Sequence, residues 1–121
     1  MASESTGFKG FKAEVAINKG CLVKAGTDID EVTLNGSEEV NFFGSASSTV
    51  EADEHVNVKL ANVGGTHLLR AAGAISAGAT VYAAANGEID AAGTNKIGTA
   101  LNAAGAQGDL VEVLLINHAP A

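Results

Sequence analysis

Few residues of this chain could do chemistry: one cysteine, Cys21, three histidines, His55, His67 and His118, and 14 carboxylates. Cys21 would be a nucleophile only beside a histidine brought to it by the fold. It stands in the apolar run Cys21-Leu22-Val23, where a small buried hydrophobe is the ordinary role. No histidine has a second His or Cys at ligand spacing, so each reads as a strand-surface or tail residue and no metal is expected. Asp28, Asp30 and Glu31 start like a calcium loop, but Val32 and Thr33 stand where another ligand and the turn glycine belong, which leaves a solvated acidic loop. Gly73 to Gly78 and Gly93 to Gly98 have the outer spacing of a phosphate-binding loop, yet Ala79 and Thr99 follow where a lysine must reach the phosphates. Asn35-Gly36-Ser37 has the form of a glycosylation sequon and reads as a turn. These residues predict no enzyme, no catalytic residue and no cofactor.

Charge narrows the partners. Seven basic against 14 acidic residues give a net charge of −7, and Asp28, Asp30, Glu31, Glu38, Glu39, Glu51, Asp53 and Glu54 follow one another with no Lys or Arg between them. A phosphate backbone needs a basic face, so nucleic acid is not expected. Lys9, Lys12, Lys19 and Lys24 make the amino-terminal end locally basic. Met1 to Lys12 lacks the apolar core of a secretory signal, and the uncharged stretch Ala71 to Gly87 falls short of the roughly 20 apolar residues of a membrane span. Folding in a reducing cytoplasm, with no membrane partner, is the expectation.

The elements that must carry any site are strands. The chain has 121 residues, 15 of them Gly and one Pro, with four Phe, one Tyr and no Trp, so its core is thin and its turns many. Phe11, Ala13, Val15 and Ile17 alternate with polar or small residues at the period of two that sends side chains to opposite sheet faces. The same alternation returns in Val56, Val58 and Leu60 and in Val111, Val113 and Leu115. Asn35-Gly36 and Asn86-Gly87 accept the positive φ of a type I′ hairpin, and the second predicts pairing of Val81-Tyr82-Ala83 with Glu88-Ile89-Asp90. A short helix is allowed at Ala83 to Ala85 or Asn102 to Ala106, where alanine-rich runs favour it.

The chain also repeats itself. Ala16-Ile17-Asn18-Lys19-Gly20 matches Ala74-Ile75-Ser76-Ala77-Gly78, and Val23 then falls on Val81. Asn41 to Ala46 matches Asn95 to Ala100, and Val56, Val58, Leu60 and Asn62 match Val111, Val113, Leu115 and Asn117. Units 11–62 and 66–117 are each too small to fold alone. They predict one all-β domain over 11–118, a small β-barrel or sandwich of two pseudo-repeated units with at most a short helix. Its core is expected to hold Val15, Ile17, Val23, Val58, Leu60, Val81, Ile97, Val113 and Leu115. Residues 1–10 are expected to form a flexible arm, with Phe8, Lys9, Phe11 and Lys12 as a basic and aromatic anchor.

The second unit resembles the capsid decoration, or cement, proteins of tailed bacteriophages. The resemblance lies in Ala-Ile-Ser-Ala-Gly-Ala-Thr-Val-Tyr (74 to 82), Ala-Asn-Gly-Glu-Ile (85 to 89), Lys-Ile-Gly-Thr-Ala-Leu (96 to 101) and Ala-Gln-Gly-Asp-Leu-Val-Glu-Val-Leu-Leu (106 to 115). The first unit carries a looser echo, and its loop Gly26 to Val40 is longer and more acidic than its counterpart. The resemblance implies a homo-oligomer, commonly a trimer, made in the host cytoplasm. It would sit on the outer capsid surface of the virion and bridge subunits of the major capsid protein. The other reading is a β-sandwich module on a virion or appendage that binds a host-surface ligand.

Overall fold

The computed structural model describes residues 8–36, 42–61 and 66–115. Ten strands follow in order: β1 (Phe8–Ala13), β2 (Leu22–Ala25), β3 (Glu31–Leu34), β4 (Gly44–Ala46), β5 (His55–Leu60), β6 (His67–Arg70), β7 (Thr80–Ala83), β8 (Ile89–Asp90), β9 (Lys96–Ala100) and β10 (Leu110–Leu115). The one helical element among them is a 3-10 turn at Ala85–Gly87, and Asn102 to Ala106 is not helical.

Strands β1 to β5 form a closed barrel in the order β1-β3-β2-β4-β5, and β6 to β10 form a curled sheet in the order β6-β10-β9-β7-β8. Both halves use one pairing scheme, so the fold is two pseudo-repeated β units. Val23 faces Gly44 as Val81 faces Gly98, and Ala46 faces Val58 as Ala100 faces Val113. The bridge Ile17 to Val50 returns as Ile75 to Ala104. The halves differ in closure. Six-residue β1 reaches β5 on one side and runs parallel to β3 on the other, which shuts the first barrel. Four-residue β6 and two-residue β8 leave only a parallel bridge, Ala71 to Ile89, where the second would close.

Glycine at two equivalent positions permits the close strand approach. A Cβ on Gly44 would fall on the Lys59 carbonyl oxygen, and one on Gly98 on that of Leu114. The two residues let β4 and β9 pass against β5 and β10 with nothing between the backbones.

Each half has its own apolar core. Ala13, Ile17, Cys21, Val23, Val32, Ala46, Val50, Val56 and Val58 fill the first. Leu69, Ala71, Ile75, Val81, Ile89, Ile97, Val111 and Val113 lead the second, and Leu22 and Phe42 join it from the first half. The open side of the second sheet is thus sealed by the first barrel. Leu60 and Leu115 are partly buried, while Val15 is exposed because β1 ends at Ala13 and the chain bends at Glu14 and Val15.

Two local expectations meet different fates. β7 and β8 pair through Tyr82 with Asp90 and Ala83 with Ile89, and Asn86 and Gly87 both take positive φ between them. Asn35-Gly36 makes no hairpin. Strands β3 and β4 lie on opposite sides of β2, and Asn35 is buried at the seam, its N–H on the Leu22 carbonyl and its carbonyl oxygen accepting from Gly87 N. The glycosylation sequon falls partly outside the described residues, at Ser37.

Candidate functional site

The four residues expected to form an amino-terminal anchor lie in β1, so the strand starts three residues earlier than the periodicity suggested. Phe8 to Lys12 pair with Lys59 to His55 of β5, and these ladder bonds hold residues 8–10 in the barrel wall. Lys9 and Phe11 sit opposite the inward-facing Val58 and Val56. Phe11 stacks on Phe43 with ring centroids 5.2 Å apart, and Lys9 Nζ lies 5.2 Å over the Phe11 ring. Phe11 is therefore a barrel side chain with a cation capping it. Lys12 is exposed and lies 3.7 Å from Asp53. Of the expected arm, residues 1–7 lie outside the described residues.

Acidic groups gather around the end of β1. The Lys12 N–H donates to the Asp30 carbonyl, the Ala13 N–H to that of Glu54, and Thr27 Oγ1 to Glu14 Oε2 at 2.6 Å. These bonds bring the β2–β3 loop and the turn at Glu51 to Glu54 together from distant parts of the sequence. The loop also presents Ile29, 90% exposed, between Asp28 and Asp30. No group of three or more His, Cys, Asp or Glu side chains suited to a metal occurs among the described residues.

The seam between the halves holds the most polar buried contact. Ser45 of β4 and His67 of β6, both nearly fully buried, meet with Oγ 2.8 Å from Nδ1. Burial first, and then the charge of Lys59, lowers the His67 pKa to about 4. His67 was expected at a strand surface; instead the alternation of β6 turns His67 and Leu69 inward and Leu68 outward. A serine beside a histidine is the pairing of a nucleophile with its base, but this imidazole is a poor base near neutral pH. Among the described residues its Nε2 also has no hydrogen-bond partner to orient it. The pair ties the two halves together. Cys21, buried beside the seam with its thiol pKa raised chiefly by burial, is the small hydrophobe expected.

Next to this pair a cleft of about 550 Å³ opens between β4 and β5 of the first barrel and β6 and β10 of the second half. Lys19, Lys59, Ser47, Thr66, Leu68 and Glu112 line it, with Ser45 and Ala46 at the β4 wall. Lys59 Nζ donates to the Thr66 carbonyl, and Thr66 Oγ1 donates to Glu112 Oε2 at 2.6 Å. The cleft runs onto the outer face of the second sheet. There Leu68 (48% exposed) faces Glu112 across the strands, and Leu114 (51% exposed) stands two residues further along β10. The sequence reading missed the cleft, because its walls come from strands distant in the chain. Leu114 and Leu68 gave one signal, as leucines on the polar phase of their strands.

A closed barrel with a second curled sheet sealed onto it thus carries two half-exposed leucines, Leu68 and Leu114, beside Glu112 on the outer face of that sheet. The family model described as phage cement protein matches residues 10–115, and the chain belongs to that family. It is a phage structural protein. No curated protein matches it. Among solved structures, the head fiber gp8.5 N base in bacteriophage phi29 is similar, with a TM-score of 0.74 and 16% identity over 94% of this chain and 96% of that one. At that identity the likeness shows a shared fold. Among the described residues no helix is long and apolar enough to cross a membrane.

Proposed function

We propose that this protein is a capsid decoration protein that binds the outer surface of a mature phage head and bridges neighbouring major capsid subunits. The observation that carries the reading is the match of the phage cement family model across both halves of the fold, residues 10–115. The fold shared with the base of a phage head fiber supports it. In this reading the protein acts as a homo-oligomer, a trimer, since a thin-cored chain gains stability by burying exposed faces against its own copies. The stretch ahead of β1 adds contacts with the head, with Lys12 as the outward cation of the expected anchor. Lys9 and Phe11 serve the barrel.

The test adds purified full-length chain to expanded heads lacking it. Occupancy of the heads and the temperature at which they release DNA are then measured. Saturable binding with a raised release temperature is expected; heads that take up no protein would sink the assignment.

A further inference from the structure

Two exposed features of the molecule complement one another. The β2–β3 loop offers Ile29, 90% exposed, between the carboxylates of Asp28 and Asp30. The backbone fixes this presentation, because Gly26 N–H donates to the Glu31 carbonyl at 2.8 Å, Asp28 N–H to Glu31 Oε1 at 3.1 Å, and Asp30 turns the chain at φ 60°. The junction cleft offers Leu68, 48% exposed, with two cations, Lys19 and Lys59, against one carboxylate, Glu112, in the same walls; Glu112 accepts from Thr66 Oγ1 and Lys59 Nζ donates to the Thr66 carbonyl, so the cleft keeps a net positive charge. Among the described residues neither lysine is paired with a carboxylate. The loop follows the last residue of β2, Ala25, whereas Lys19 of the cleft precedes its first, Leu22, so the two features lie toward opposite ends of that strand.

We propose that the β2–β3 loop of one copy docks in the junction cleft of a second copy, Ile29 packing on Leu68 and Asp28 and Asp30 facing Lys59 and Lys19. This deepens the oligomeric part of the function proposed above and rests on it. The contact joins two different patches, so it is heterologous. Repetition of one such contact closes a ring when the rotation between copies divides a full turn. An apolar centre flanked by opposite charges also fixes register, since a shifted loop would leave carboxylates against Leu68 and Ile29 against lysine. The loop is acidic and apolar in the same few residues, a composition that solubility alone does not require.

The experiment follows the mass of the full-length protein by light scattering and sedimentation over a range of concentrations. The wild type should associate, and Ile29→Asp, a change at an exposed loop tip, should weaken association by at least about tenfold. Asp28→Lys with Asp30→Lys should do the same, as should Lys19→Glu with Lys59→Glu. A single chain carrying all four reversals should regain association, because every loop then meets a cleft of opposite sign in a ring of any number. Circular dichroism of each variant separates lost contact from lost fold. A monomeric wild type would overturn the proposal together with the oligomeric reading. An oligomer indifferent to Ile29→Asp would overturn the proposal alone. If the variants keep their mass but lose occupancy on heads, the cleft takes a capsid subunit and the self-contact is wrong.

Discussion

Leu22 and Val23 are adjacent in β2, both fully buried, and serve different cores: Val23 packs inside the first barrel and Leu22 inside the second half. Strand alternation makes this possible, since neighbouring side chains leave the backbone on opposite faces. One strand is thereby the wall of one core and the lid of the other.

Truncation of Leu22 should loosen the halves unequally. Leu22→Ala removes a large side chain from the seal of the second sheet and is expected to cost about 2 to 5 kcal/mol. Hydrogen exchange should quicken most in β7 to β10, whereas Val23→Ala should quicken exchange in β1 to β5. Equal effects of the two variants on both halves would show that the cores are one cooperative unit.

Gly44→Ala and Gly98→Ala should be equivalent lesions. Each places a methyl group on a carbonyl oxygen of the neighbouring strand, Lys59 or Leu114, and backbone cannot yield as a side chain can. A loss of about 3 kcal/mol is expected at each site, read from urea midpoints. Gly73→Ala, where a Cβ would meet nothing within 4 Å, is the control and should shift the midpoint little.

Acid should weaken the seam. The His67 pKa falls from 6.5 to about 4 in the folded protein, so the unfolded chain holds more protons between those values. Stability then rises with pH through that window: the penalty is absent above 6.5, grows as the pH falls, and is complete below about 4, with an upper limit of about 3 kcal/mol. His67→Gln should flatten this part of the stability profile measured by thermal melts. Lys59→Met, which removes the second cause of the shift, should narrow the window from its acid side.

Removal of residues 1–7 should leave melting unchanged, because β1 begins at Phe8. Removal of residues 1–10 takes away the pairs Phe8 to Lys59, Lys9 to Val58 and Gly10 to Asn57, together with the cation over Phe11. The longer deletion should lower the melting temperature, and head occupancy of the shorter one measures what the leading segment adds to attachment.

The pairing scheme was legible in the chain where a local rule fixes it. Val56, Val58, Val111 and Val113 alternate cleanly, and Asn86-Gly87 must turn, so β5, β10 and the β7–β8 hairpin follow from spacing alone. The match of Gly44 with Gly98 was visible because close strand approach tolerates no side chain at either. Val15 misled because periodicity continues past the bend that ends β1. His67 misled because the phase of a four-residue strand is set by what it packs on, here Ser45 of the other half. The junction cleft had no local signature, since Lys19, Lys59 and Leu68 meet only through the closure of one sheet and the docking of the other.

The unequal closure of the halves has a consequence for the order of synthesis. The ribosome delivers β1 to β5 first, and all five strands of the closed barrel lie in that half. The strands that follow cannot finish alone, because Leu22 and Phe42, which complete their core, are already in place upstream. The amino-terminal half is therefore a template on which the carboxy-terminal half condenses as it emerges. Residues 66–121 made separately should expose an unsealed apolar surface and aggregate, and addition of residues 1–65 should return them to solution.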